Sequence, residues 1–199
     1  MFLINIEPTV SRMAEEFKTK VTRGQFNKAL ARALNRTIER ARTTAYRKIR
    51  EEYNIPAKDL RNDIKISRAN PSVLSAKLNA LGRPLPLASF QARATKKGVT
   101  ANIAKRRVLI KGAFFATMPN GHRGVFARGN YVGRKFDFRE RRTSKYPKND
   151  LNVNELFSKS VPTAMLNTTV LDSIKSNIDK DLAPRLRHEL KYILGKVGR

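Results

Sequence analysis

The chain contains no cysteine, which excludes disulfides and thiolate metal sites and fits synthesis in a cytosol. Acidic residues are scarce: 16 Asp and Glu stand against 42 Lys and Arg, for a net charge of +26. Histidine occurs only twice, as His122 and His188, and neither has metal-ligand spacing to another donor. No apolar run approaches the roughly 20 residues of a membrane span. The opening MFLINIEPTV has neither a basic n-region nor a long apolar h-region, so it does not read as a signal peptide. A soluble protein without a membrane partner is expected.

Catalytic signatures are missing too. HExxH, the phosphate loop GxxxxGKS/T, the dinucleotide loop GxGxxG and the nucleophile elbow GxSxG do not occur. A nuclease is the natural enzyme for so basic a chain. Asp59 and Asp63 have helical spacing and Lys65 follows, but the second carboxylate that a metal-dependent nuclease places just before a lysine is absent. These read as ordinary surface acids. No enzyme is expected, with no catalytic residue, no metal and no cofactor.

What is present is enough apolar material for a core, 40% of 199 residues, with 8% aromatics. A disordered basic tail would be poor in both. One domain over 1–199 suits the length. A charge of +26 far exceeds the roughly 2–8 that solubility asks of a small domain, and it repels itself unless an anion lies nearby. A polyanion is therefore the expected partner. Basic clusters of this kind contact phosphate without reading sequence, and no zinc-finger or RNP pattern is present. Double-stranded DNA without sequence specificity fits the composition.

Residues 1–56 read as an arm or short strand (Phe2, Leu3, Ile4, Ile6) followed by helices. Pro8 opens one with Val10, Met13, Phe17 and Val21 along a side. Thr22 and Gln25 have capping-box spacing and start the next. Phe26, Leu30, Leu34, Ile38, Ala41, Ala45, Ile49 and Tyr53 form its apolar stripe, while Lys28, Arg32, Arg36 and Arg40 make a separate basic row. That row is either a solvated face or a phosphate-facing one. Pro56 ends the element. Residues 57–129 change to period two after a short helical turn near Ala57 to Asn62. Ile64 and Ile66, then Leu74 to Ala80, Val99 to Ile103 and Val108 with Ile110 alternate, which predicts antiparallel sheet.

The stretch GAFFATMPNGHRGVFAR, Gly112 to Arg128, reads as a hairpin with Asn120 and Gly121 as positive-φ turn residues. Residues 130–150 lose all periodicity and predict a long basic-aromatic loop. Residues 151–199 return to helix: Ser160 is a candidate N-cap with Pro162 in the first turn, Leu171 to Ile193 keep a stripe, Pro184 should kink or divide it, and Gly195 should end it. The fold class is α+β, with long N-terminal helices, a central antiparallel sheet with a hairpin, and C-terminal helices packed on the sheet. DNA-facing or assembly-facing basic candidates are Arg32, Arg36, Arg40, Lys105, Arg106, Arg107, Arg134, Lys135, Arg139, Arg141, Arg142 and Lys145. Subunit-contact candidates are Phe114, Phe115, Phe126, Tyr131, Phe136 and Phe138.

Three blocks carry a resemblance. KALARALNRTIERARTTA with its Asn35-Arg36 pair, GAFFATMPNGHRGVFAR, and SVPTAM followed by the run to LRHELKYIL occur in the order seen in the minor tail protein Z family of long-tailed phages. The order and the basic composition carry the match, over roughly Gln25 to Leu194. The resemblance implies a virion protein, made in the host cytoplasm, that completes the head-proximal end of the tail. It implies a homo-oligomeric ring, most naturally a hexamer, around the DNA path, touching neighbouring tail and head-tail connector proteins. The rival account is a free sequence-nonspecific nucleic-acid binder of ribosomal or nucleoid type.

Overall fold

In the computed structural model, residues 11, 14–17, 21–132, 135–137 and 153–197 are described. The fold is α+β. Its internal contacts divide it into two compact units, Met1–Ile49 with Ala57–Gly82 and Val161–Arg199, and Arg50–Pro56 with Arg83–Ser160.

The first unit is built on two long helices. Helix α1, Arg23–Tyr53, begins where the capping box places it. The Thr22 amide donates to Gln25 Oε1 at 2.8 Å, and the Gln25 amide donates to Thr22 Oγ1 at 3.3 Å. Its end is set by Asn54, which takes a left-handed φ of 55° and returns its amide to Arg50 O. The apolar stripe is buried as its spacing requires, with Ala41, Ala45 and Ile49 fully enclosed. Helix α2, Ala57–Asp63, leads into strand β1, Ile64–Ser67, which pairs antiparallel with β2, Lys77–Ala80. Helix α3, Val161–Met165, follows Ser160 with Pro162 in its first turn and contacts both α2 and β2.

Helix α4, Thr168–Val197, carries the other half of the core. Leu182, Leu186 and Leu190 cluster with Ala29, Leu30, Ala33 and Leu34 of α1. Each such leucine contributes about 1.5–3 kcal/mol by leaving water. Asn167 starts this helix by accepting the Thr169 amide at 3.0 Å. Of the two outcomes expected at Pro184, a kink or a division, the helix shows no division and is continuous through it: a proline removes one ladder bond, and buried Leu182 and Leu186 on either side hold the segment. One expectation needs correction here. Gly195 does not end the helix, which runs on to Val197.

Asn35 has a structural role in this unit. Its side-chain amide donates to Ala69 O at 2.9 Å, and its oxygen accepts the Ala69 amide at 2.7 Å. This reciprocal pair does for the chain after β1 what a strand partner would do, so the segment needs no ladder there.

The second unit holds two three-stranded sheets. One is β3 (Arg93–Thr95), β4 (Gly98–Ile103) and β5 (Arg106–Lys111), with β4 central. The other has β7 (Arg123–Arg128) between β6 (Phe114–Thr117) and β10 (Val153–Glu155). Buried Phe90, Val99, Val125 and Leu156 belong to its core. β7 is covered on both faces, which is why Gly124 to Ala127 form an unbroken buried run rather than an alternating one. A 3-10 turn at Leu87–Ser89 contacts β7, and the Leu87 amide donates to Leu156 O.

The hairpin turn differs from expectation in one residue. The Gly121 amide donates to Met118 O, and Met118 N–H to His122 O, so Pro119, Asn120 and Gly121 form a three-residue loop. Only Gly121 is left-handed, at φ 81°. Asn120 keeps negative φ, as this loop type requires of its second position, and its side chain accepts the His122 amide instead. The expected irregular loop at 130–150 also needs correction: β8 (Asn130–Val132) pairs antiparallel with β9 (Lys135–Asp137). Tyr131, Val132 and Phe136 are strong strand formers flanking Gly133, a pattern too short to show as periodicity. Residues 138–150 lie outside the described residues. Helix does not begin at 151, because β10 precedes it; its place is set by pairing to β7, not by local pattern.

Candidate functional site

The basic row of α1 meets carboxylates of its own chain. Arg40 Nη1 donates to both oxygens of Asp181, at 2.6 and 2.9 Å. Arg36 lies 3.2 Å and Arg32 3.8 Å from Glu189, whose side chain is only 6% exposed. As the α1 number rises by eight from 32 to 40, the α4 number falls by eight from 189 to 181, so the helices run antiparallel with matched charge. Arg36, Arg40, Asp181, Pro184, Arg185, His188 and Glu189 line an open pocket of about 390 Å³. Hydrogen bonding from the Arg40 guanidinium holds the Asp181 carboxyl below its ordinary range; burial opposes it as the next largest effect, and the charge of Arg185 adds a smaller lowering. Asp63 goes the other way: burial first, and Asp59 next, push its carboxyl up.

Arg32, Arg36 and Arg40 nevertheless keep more than half of each side chain exposed. Their charge is partly neutralised while much of each side chain stays in water.

The second unit has a different balance. Arg93, Lys96, Lys97, Lys105, Arg106, Arg107 and Lys111 fall within 19 residues that contain no acid, and all seven are exposed. Lys105 reaches Glu52 at 3.1 Å. Among the described residues the other six have no carboxylate partner. Cross-strand register sorts them by face. Arg93, Thr100 and Leu109 share one face with Asn102 and Arg107, and with Thr95, Gly98 and Lys111. Ala94, Val99, Ile110, Ala101 and Val108 share the other, where Val99 and Ala101 are fully buried. The sheet thus turns an acid-free face outward.

The aromatic hairpin is occupied internally. Phe126 is 3% exposed and belongs to the core. Phe114 lies 6.5 Å from it, ring centre to ring centre, with the Arg128 guanidinium 5.6 Å from the Phe114 ring. Arg123 stacks 5.4 Å from Phe115. Phe114 and Phe115 are half-buried. His122 Nε2 lies 2.9 Å from Glu155 Oε1, which ties β10 to the hairpin. That carboxylate crosses over Gly124, where an added methyl would lie 2.7 Å from Glu155 Oε1. Backbone pairing places Tyr131 opposite Phe136, with Lys135 opposite Val132. Arg134, Phe138, Arg139, Arg141, Arg142 and Lys145 lie outside the described residues.

Sequence reasoning found the basic rows and missed their partners. Asp181 and Glu189 share the spacing of eight that separates Arg32 from Arg40, which is the signal that pairs the two helices. Among the described residues no group of three His, Asp or Glu could hold a metal ion, and no helix is long and apolar enough to cross a membrane. No curated protein and no solved structure matches the chain. The family model for the prophage minor tail protein Z (GPZ) matches residues 13–197, nearly the whole length, and the chain belongs to that family.

Proposed function

We propose that this minor tail protein is a tail completion component, forming a homo-oligomeric ring at the head-proximal end of the phage tail, around the DNA path and joining tail to head. The family membership makes it a structural tail protein. The observation that carries the finer reading is the uneven neutralisation of charge. The α1 row is matched by Asp181 and Glu189, whereas the cations of 93–111 are all exposed with no acid among those 19 residues, and Arg93, Arg107 and Lys111 share the outward face of their sheet. In a ring that excess adds up across subunits, and it is tolerable only beside a polyanion or an acidic neighbour. Arg139, Arg141 and Arg142 add three more cations in the sequence, and we propose that they face the DNA. A hexamer fits a tail of six-fold symmetry.

The experiment is localisation: tag the C-terminus, purify particles, and image gold label by electron microscopy. Label at the head-tail junction supports the reading. Particles that lack the protein on a blot overturn it, and the free nucleic-acid binder takes its place. Replacing Arg139, Arg141 and Arg142 with Gln should leave particle assembly intact and impair DNA passage. Loss of assembly would assign them to a protein neighbour.

A further inference from the structure

We propose that the free edge of β5 is a strand-addition site for an acidic extended segment of another protein, with the pattern acid, any residue, apolar, any residue, acid.

β5 is the longest edge strand among the described sheets, six residues, Arg106–Lys111. Nothing among the described residues pairs with its outer side. Val108 and Leu109 on it are 43% and 38% exposed. A long exposed edge bearing apolar side chains is a ready template for another strand.

The ladder fixes which groups are on offer. The Gly112 amide donates to Lys97 O, so residues 97 and 112 form a hydrogen-bonded pair. Antiparallel pairing alternates from there, so Ile110 and Val108 also aim their backbone groups at β4. Arg107, Leu109 and Lys111 aim theirs at the free edge. These three side chains also stand on the outward, acid-free face, two cations around one apolar residue. In an added antiparallel strand, residues directly opposite share a face. Carboxylates then meet Arg107 and Lys111, and an apolar side chain meets Leu109. The residues between lie on the side of Val108 and Ile110.

Charge selects the occupant. A second copy of β5 would set Arg106, Arg107 and Lys111 against like charges, which is destabilising. The same cations guard the edge against self-association until an acidic strand arrives. DNA answers the charge but leaves the edge amides and Leu109 unused, so the edge favours a peptide. The edge belongs to the isolated chain, so the proposal does not depend on ring assembly.

The test uses the full chain and a fluorescein-labelled peptide Ser-Glu-Thr-Val-Thr-Glu-Ser, read by anisotropy. Three comparisons accompany it: the same composition rearranged as Ser-Thr-Thr-Val-Glu-Glu-Ser, the first peptide N-methylated at the Val amide, and a 20-base-pair duplex as competitor. Leu109→Pro removes an edge donor without touching the β4 ladder, and edge strands tolerate proline in that position. Leu109→Val is its control. The expected result is binding of the alternating peptide that falls at least tenfold on rearrangement, on N-methylation and in Leu109→Pro, and persists in Leu109→Val. Equal binding of the rearranged or N-methylated peptide overturns the proposal. So does unchanged affinity in a folded Leu109→Pro chain. If that variant fails to fold by circular dichroism, the N-methylated peptide on the native chain decides. Stoichiometric displacement of the peptide by the duplex at equal concentration reassigns the face to DNA.

Discussion

Gly98 is the position where one added methyl group has the largest calculable effect on the basic sheet. Its φ is 148°, a conformation that side chains rarely adopt, and an alanine Cβ would lie 2.1 Å from Ile110 O and 3.0 Å from Gly112 N. Both atoms are backbone, so neither swings away as a flexible side chain would. Overpacking of this kind costs about 1–3 kcal/mol, and forcing a side chain into a sparsely populated backbone region adds about 1–3 kcal/mol. About 3 kcal/mol is a conservative total, equivalent to roughly a 150-fold faster opening at 1.36 kcal/mol per decade. Gly121→Ala is the comparison: φ is 81° but nothing lies within 4 Å, so only the backbone term of about 1–2 kcal/mol applies. Amide hydrogen exchange over residues 98–111 reads the difference, with the buried turns of α1 as the internal reference. Acceleration in Gly98→Ala no greater than in Gly121→Ala would refute the steric reasoning. The same substitution should weaken peptide capture at β5, because β5 must shift to admit the methyl.

Four further outcomes are expected. Asp181, whose folded carboxyl is held below its ordinary value, contributes stability that is present above about pH 4 and lost as pH falls through the folded value; urea unfolding should show Asp181→Asn less stable than the native chain at pH 7, with the difference shrinking as pH falls below about 4. Asp63 has the opposite sign, since its raised carboxyl takes up a proton in the fold and its contribution falls as pH rises through that value. Asp63→Asn should therefore gain stability at pH 7, an effect that vanishes below about pH 3. Ala104 and Lys105 fill a two-residue turn with φ of 48° and 63°, so Ala104→Asn, which suits left-handed turn positions, should stabilise by about 0.5–1 kcal/mol, a rise of roughly 1–4 °C in thermal midpoint. Removing both Arg32 and Arg36 leaves the buried Glu189 carboxylate without those two cations. The double alanine variant should lose more than the sum of the single ones, about 1–3 kcal/mol in all by chemical denaturation.

Helix α1 was legible because every local device agrees: Thr22 and Gln25 cap it, a 3.6-residue stripe runs through it, and Pro56 follows it. The alternation of Val99, Ala101 and Ile103 announced β4 in the same way. Other features had no local voice. The turn at Ala104 and Lys105 carries neither Asn nor Gly, and its left-handed geometry is imposed by the pairing of Ile103 with Arg106. β10 is three residues long and owes its existence to β7, about 27 positions earlier. The basic row of α1 was visible as a row. That it meets Asp181, 141 residues beyond Arg40, depends on two helices packing, which no window of sequence contains. The basic candidates between 93 and 111 could be listed from composition, but only register sorted them into a covered face and an open one.

The order in which the two units are threaded has a consequence for synthesis. Residues 83–160 complete most of the second unit as one continuous stretch, whereas the first unit needs both ends of the chain. Leu30 and Leu34 emerge early, yet Leu182, Leu186 and Leu190, which cluster with them, are made about 150 residues later. At roughly 5–20 residues per second, the stripe on α1 waits on the order of 10–30 s for its cover. A nascent chain interrupted near residue 160 thus carries the sequence of the second unit together with an α1 stripe that still lacks its cover, and such fragments are the species a cell's chaperones and proteases will meet.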